Sequence, residues 1–309
     1  MVPPIGPGRV EQEGYTLNWI KTARGIHGEI VSCRTEDRLQ LHGLWAGGGD
    51  TVLIHNHGTA SAYGIESFEP QLQRWAGENG WGFLTCNSRG AHVLEDWQNS
   101  GAAVELFSDS PKDLKAWLGW ASKTGAKRVI LSGHSLGTEK IAHFLRGHEA
   151  PSIVGAILLA PSDSPGCQER WEDESGKDYM SEAIRMCNSG RAGHLMGDRL
   201  VHAGILPMTA RAYLDFFNED SDLRRALPFR TGGLERIHVP TYALIPTDDV
   251  WNIASPKDYM EQIKTAGGDG EICGCNHDFE GHDIGDALRS AEQVIFGNRL
   301  NERRRMINV

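Results

Sequence analysis

Short apolar runs closed by glycine or a polar turn alternate with longer stretches whose apolar residues recur three and four positions apart. The first pattern is that of strands buried on both faces, the second that of amphipathic helices. Strands are expected over 29–33 and 39–46, as a hairpin around "RTEDR", and over 51–58, 81–90, 128–133, 152–161, 240–246 and 270–275. A helix is expected over 66–80, with Phe68, Leu72, Trp75 and Ala76 on one face. Another opens at Ser110, with Ser110 as N-cap, Pro111 first in the helix, and Leu114, Trp117, Leu118 and Ala121 as its buried stripe. Further helices follow the strand at 128–133 and close the chain over 283–296, the last with Ile284, Leu288, Ala291 and Ile295 aligned. Residues 1–28 read as an irregular lead-in.

This alternation predicts an α/β fold, a mostly parallel sheet flanked by helices on both faces. One interval breaks the rhythm. Between Ala160 and Pro240 no strand pattern appears, while "SEAIRMC", "HLMGDRLVHAGI" and "TARAYLDFF" have helical spacing. A loop of that length without structure is implausible. The expected organisation is therefore a core of residues 1–161 and 240–309 and a helical cap of residues 162–239. The cap carries Trp171, Tyr179, Tyr213, Phe216 and Phe217, with Met180, Met196 and Met208. These suggest an apolar roof over an apolar or aromatic ligand. The competing reading is that they cover a sheet edge at a homodimer contact.

Composition narrows the partners. The 309 residues carry a formal net charge of −10, and the one basic run, "NERRRM", reads as a solvated tail. Nucleic acid is not an expected partner, and neither is a membrane, since no apolar run reaches spanning length. The first residues lack a basic region followed by an apolar one, so a secretory signal is not expected. Cys33, Cys86, Cys167, Cys187, Cys273 and Cys275 are scattered, which favours free thiols in a reducing, cytoplasmic setting.

The most specific chemical signal is "VILSGHSLGTEK". A strand that turns sharply into a helix can present one side chain above the sheet edge, and glycine on either side relieves the crowding. Gly133 and Gly137 flank Ser135 in this way, which makes Ser135 the candidate nucleophile. The N–H of Leu136, at the helix start, can donate to a developing oxyanion. A second donor should come from the loop after an earlier strand, where "HNHGTASAYG" offers the N–H of Thr59. His55 and His57 read as hydrogen-bonded scaffolding.

A serine nucleophile needs a base and the base an orienter, in the chain order serine, acid, histidine. His277, just beyond the last strand, is the expected base. His282, at the mouth of the closing helix, is the alternative. For the acid, Asp249 lies three positions past Pro246, with Asp248 and Asp163 as alternatives. Alternation also places Cys273, Cys275 and His277 on one strand face. A structural metal there lacks the second ligand pair usual for zinc, so neither metal nor cofactor is expected.

With those residues in view, the chain resembles serine hydrolases of the α/β-hydrolase superfamily, from about residue 29 to 296. More narrowly, "HNHGTASAYG", "NSRGAH", "GHSLGTEKIAHFL", "LLAPSD" and "CNHDFEGHD" are similar to an uncharacterised bacterial group distantly related to fungal siderophore-ester hydrolases. In such proteins the histidine stands in a His-x-Phe-x-Gly context, here His277, Phe279 and Gly281, which favours His277. Pro246 stands where glycine is commoner, a departure that bears on the acid. The resemblance implies ester or related acyl hydrolysis without a cofactor. With no oxidoreductase or phosphate-binding signature in the sequence, the expected reaction is cleavage of an ester or lactone of a small to medium apolar or aromatic substrate through an acyl-enzyme. C–C bond or thioester hydrolysis, acyl transfer, and a ligand receptor without turnover are the alternatives on the same residues.

Overall fold

The computed structural model describes residues 11–12, 15–16, 19–21, 25–226 and 237–297. Strands β1 (Glu11–Gln12) and β2 (Tyr15–Thr16) form a small antiparallel ladder. The main sheet has nine strands: β3 (Trp19–Lys21), β4 (His27–Arg34), β5 (Gln40–Ala46), β6 (Thr51–Asn56), β7 (Gly82–Cys86), β8 (Arg128–His134), β9 (Ile153–Leu159), β10 (Thr241–Asp248) and β11 (Asp269–Asn276). Their spatial order is β11-β10-β9-β8-β6-β7-β5-β4-β3. From β7 to β11 every pairing is parallel, whereas β5 pairs antiparallel with β7 and β4, and β4 antiparallel with β3. The expected α/β sheet is therefore present, with one strand more than the pattern predicts. Trp19–Lys21 lies in the stretch expected to be irregular.

Alternation along the strands sorts the core into two faces. Val52, Ile54, Val129 and Leu131 point to the side covered by α2 (Ser110–Lys123), α3 (Leu136–Gly147) and α7 (Pro256–Thr265). Leu53, Phe83, Ile130 and Ile157 point to the other, under α1 (Glu69–Glu78) and α8 (Gly285–Phe296). The stripes expected of α1, α2 and α8 are those that pack. Ser110, however, is not an N-cap. A 3-10 turn over Phe107–Asp109 runs straight into α2, so Ser110 is already helical. The capping position falls to Asp109, whose carboxylate is taken by Lys112 at 2.8 Å and Arg89 at 3.2 Å.

Between β9 and β10 lie α4 (Ser164–Ser175), α5 (Tyr179–Asn188) and α6 (Ala210–Phe217), and no strand among the described residues. The expected helix over 194–205 is absent. That segment is a chain of turns with isolated bridges Leu195–Thr209 and His202–Leu206. Gly197 and Gly204 interrupt it, and Gly204 has φ +78°, outside helical space. Tyr179, Met186, Met208, Tyr213, Phe216 and Phe217 pack into a third core that also takes in Phe107 and Leu136 from the sheet side. A second expectation fails at the cysteines: Cys273 and Cys275 form a disulfide, leaving Cys33, Cys86, Cys167 and Cys187 as thiols. No helix among the described residues is long and apolar enough to cross a membrane. The basic run at 301–306 lies outside the described residues.

Candidate active site

Ser135 is the turn between β8 and α3. Its φ of 51° and ψ of −125° are costly for a residue with a β-carbon, a strain of ~1–3 kcal/mol. The flanking glycines make that turn sterically possible. A β-carbon on Gly137 would lie 2.4 Å from the Asn56 carbonyl oxygen, and one on Gly133 would lie 2.6 Å from that of Gly137. Thr138 donates from its N–H and hydroxyl to the Ser135 carbonyl, at 2.9 and 2.6 Å, fixing the first turn of α3. Leu136 begins that helix.

His277 follows β11, and its Nδ1 lies 2.9 Å from Asp249 Oδ1. The carboxylate can only accept, so Nδ1 carries the proton and Nε2 is left as the basic nitrogen. Asp249 is held in turn: its Oδ1 accepts from the Trp251 N–H at 2.8 Å, and its side chain is 1 % exposed. The alternative acids have other placements. Asp163 caps α4 by accepting from the Gly166 N–H at 3.0 Å, and Asp248 is exposed at the end of β10. His282 has its ring near Cys273 and Cys275.

Ser135, His277 and Thr59 line one cavity of about 340 Å³. Ser61, Ser67, Ser162 and Ser164 add hydroxyls to its wall, Ile65, Ile205 and Trp251 apolar surface, and Asp278 and Glu280 carboxylates. Cys167, His202, Ala203 and Ile205 bring the segment between β9 and β10 to the wall. The aromatic residues expected to roof the cavity do not reach it. Tyr179, Tyr213, Phe216 and Phe217 are each at most 1 % exposed and pack against one another and the methionines. Burying them together removes more apolar surface from water than lining an open cleft could.

Beneath Ser135 lies a charged network that the sequence did not reveal. Glu66 Oε1 accepts from His134 Nδ1 at 2.9 Å and from the Gly58 N–H at 2.9 Å, while Oε2 accepts from His55 Nε2 at 2.7 Å. His134 Nε2 faces the carbonyl of His277 at 3.0 Å. Both partners of His134 are acceptors, so both ring nitrogens carry protons and His134 is an imidazolium paired with the Glu66 carboxylate. Burial opposes both charges. Even so, His134 and His55 hold the Glu66 carboxyl well below its usual range, and Glu66 raises His134. His55 also meets the Ser132 hydroxyl at 3.1 Å. His57 donates from Nδ1 to the Gly58 carbonyl at 2.7 Å and accepts the Ser88 N–H on Nε2 at 3.1 Å. Burial, helped by Lys140, lowers His57 to about 4, so it stays neutral. Both histidines are the scaffolding expected of them.

A second carboxyl shapes the wall. Glu139, in the first turn of α3, is pushed up to about 8 by burial. Its Oε2 shares hydrogen bonds with the hydroxyls of Ser162 and Ser164 at 3.0 and 2.5 Å, and its Oε1 accepts the Ser164 N–H at 3.1 Å.

Comparison with known proteins gives the same architecture. Residues 106–223 match a family described as a protein of unknown function (DUF1749). No curated protein matches the sequence. Among solved structures, the α/β hydrolase GrgF from Penicillium sp. sh18 is similar at 16 % identity and a TM-score of 0.61, over 86 % of this chain and 97 % of that one. The esterase Pf2001 from Pyrococcus furiosus is similar at 16 % identity and a TM-score of 0.56, over 94 % and 96 %. The carboxylesterase CesB from Bacillus subtilis is similar at 18 % identity and a TM-score of 0.56, over 88 % and 93 %. The fold of this chain is the α/β-hydrolase fold.

Proposed function

We propose that the protein is a serine hydrolase that cleaves an ester or lactone through an acyl-enzyme. The observation that carries this reading is the strained elbow at Ser135 sharing a cavity with His277, whose Nδ1 is held by Asp249. Ser135 Oγ attacks the carbonyl carbon as His277 Nε2 takes its proton. Asp249 holds the ring and stabilises its charged form. The N–H groups of Thr59 and Leu136 receive the oxyanion. Collapse of the tetrahedral adduct breaks the bond to the leaving alcohol, which takes the proton back from His277. Water then enters by the same route, giving its proton to His277 and releasing the acid and free Ser135. The esterase names of two structural neighbours support ester over C–C bond cleavage.

The segment 162–239 acts in this reading as a cap that contributes one side of the wall. The cavity favours a small to medium substrate with polar substituents rather than the apolar or aromatic one the cap composition suggested. Its described lining has several hydroxyls and two outer carboxylates and no Lys or Arg, which disfavours an anionic acyl group. The test is a fluorophosphonate probe together with a panel of neutral, cationic and anionic p-nitrophenyl esters. One adduct per chain on the wild type, none on Ser135→Ala, and turnover of neutral over anionic esters are expected. Labelling that persists in Ser135→Ala would remove Ser135 from the role.

A further inference from the structure

β11 is irregular at the point where it delivers His277. Its pairing with β10 passes from Pro246–Cys273 to Asp248–Asn276, so β11 contains one residue more than β10 over that span. This is a β-bulge, and it bends the strand. It brings Cys273 and Cys275 to a Cα separation of 5.5 Å with both sulfurs on one side. Beyond the bulge the chain turns back on itself. The Phe279 N–H donates to the Asn276 carbonyl and the His282 N–H to the Phe279 carbonyl, each at 3.1 Å. The turn returns the His282 ring to the two cysteines, so that one ligand atom from each of Cys273, Cys275 and His282 lies within 4.8 Å of the others. Gln71 holds the turn from α1, donating from Nε2 to the His282 carbonyl at 2.8 Å and accepting the Ile284 N–H, also at 2.8 Å.

Two sulfurs and an imidazole are the ligand set of a thiophilic cation. In tetrahedral zinc coordination neighbouring ligand atoms stand about 3.5–3.8 Å apart, so the sulfurs must separate when the disulfide opens while the His282 ring, already within 4.8 Å of both, closes in. Cys273 is buried while Cys275 and His282 are half-buried, which leaves a side open for a fourth ligand such as water. Among the described residues, the other cluster of metal-ligating groups, His55, Glu66 and Glu69, is wholly buried and already engaged in hydrogen bonds.

We propose that Cys273, Cys275 and His282 bind a divalent thiophilic cation, Zn²⁺ or Cd²⁺, once a dithiol reductant has opened the disulfide. The reductant supplies two electrons and two protons and is itself oxidised to a disulfide, leaving two thiols on β11. The cation displaces both thiol protons to solvent and is held by two thiolates and the neutral imidazole. Cys275 and His282 bracket the turn that carries His277, so the bound cation staples that turn at both ends, and the disulfide and the metal are two alternative states of one site.

Cd²⁺ tests this directly, because cadmium thiolates absorb in the ultraviolet where the protein's disulfide form has no such band. Reduced full-length protein, freed of reductant and titrated with Cd²⁺, is expected to develop the band with one equivalent per chain. The untreated protein, its disulfide verified by thiol count, is expected to develop none. Cys275→Ser should abolish stoichiometric binding. His282→Ala should keep the band and weaken affinity at least ten-fold. Four other thiols remain in every variant as an internal control. No one-equivalent band in the reduced wild type overturns the proposal, as does full binding by Cys275→Ser. Unchanged affinity in His282→Ala removes the histidine from the site. If Cys275→Ser does not fold, the comparison of reduced with oxidised wild type decides alone, and an equal band in both overturns the proposal.

Discussion

Glu66 and His134 form a buried ion pair at 2.9 Å directly under Ser135. The pair joins three parts of the site that are far apart in sequence. Glu66 receives the Gly58 N–H from the loop that carries Thr59, His134 precedes Ser135, and His134 in turn holds the backbone of His277.

Glu66→Gln should therefore lower kcat more than it raises KM. Hydrogen bonds to a charged group contribute ~1.5–3 kcal/mol, so the loss is about ten- to a hundred-fold. The pH dependence has two limbs. A depressed carboxyl contributes stability above its ordinary value of 4.5 and loses it as pH falls through the folded value. A raised histidine contributes stability below its ordinary value of 6.5 and loses it as pH rises through the folded value. The difference in melting temperature between wild type and Glu66→Gln should peak between those two pH values and narrow on either side. A constant difference from pH 3 to 9 would show that the pair carries no charge.

Asp249→Asn should reduce kcat by about ten-thousand-fold, since the amide can place an N–H rather than an acceptor against His277 Nδ1 and favour the wrong tautomer. Asp248→Asn and Asp163→Asn should stay within a few-fold of wild type in steady-state assays with a p-nitrophenyl ester. Collapse in either, with Asp249→Asn active, reassigns the acid.

Glu139 gives a stability signature of its own. A carboxyl raised to about 8 contributes stability that is complete below 4.5 and is lost as pH rises through 8. Glu139→Gln keeps an acceptor for the Ser164 N–H and cannot ionise. Its melting temperature should fall less than that of the wild type between pH 5 and 9, and exceed it at the alkaline end. Calorimetry at four pH values is sufficient, and parallel curves would refute the protonated state.

Phe217 is 1 % exposed within the third core, whereas Ile205 reaches the cavity. Phe217→Ala should cost ~3–5 kcal/mol of stability in denaturant unfolding and leave the ratio of kcat/KM between small and bulky esters unchanged. Ile205→Ala should change that ratio at little cost in stability. The reverse pattern would return the aromatic residues to the pocket.

These assignments also mark where the sequence was legible. The strands before Ser135 and Asp249 were visible because buried parallel strands are continuous apolar runs, and the elbow because only glycine fits at Gly133 and Gly137. The nine-stranded width was not, since Trp19–Lys21 is a short edge strand with no periodicity to detect. Helix α7 was missed although Ser255 accepts the Asp258 N–H at 3.2 Å, because its apolar stripe is only Tyr259, Met260 and Ile263. The Glu66 network was hidden for a different reason. Charged residues score as surface in any pattern, and only tertiary contact shows that Glu66 and His134 are buried together. The aromatic segment misled in the opposite sense, because apolar composition cannot distinguish a wall from a core.

Leu136 and Phe107 pack in the same core as Tyr213 and Phe217, so helices α5 and α6 are anchored to the residue next to Ser135. Swinging those helices away as a lid would pull Leu136 out of an apolar environment, at ~1.5–3 kcal/mol for that side chain alone, and would loosen the helix start that presents Ser135. Entry is then expected on the side of Ile65, Asp278 and Glu280, exposed residues of the lining. Amide exchange should find Leu136 and Tyr213 opening together, as one unit, and rarely.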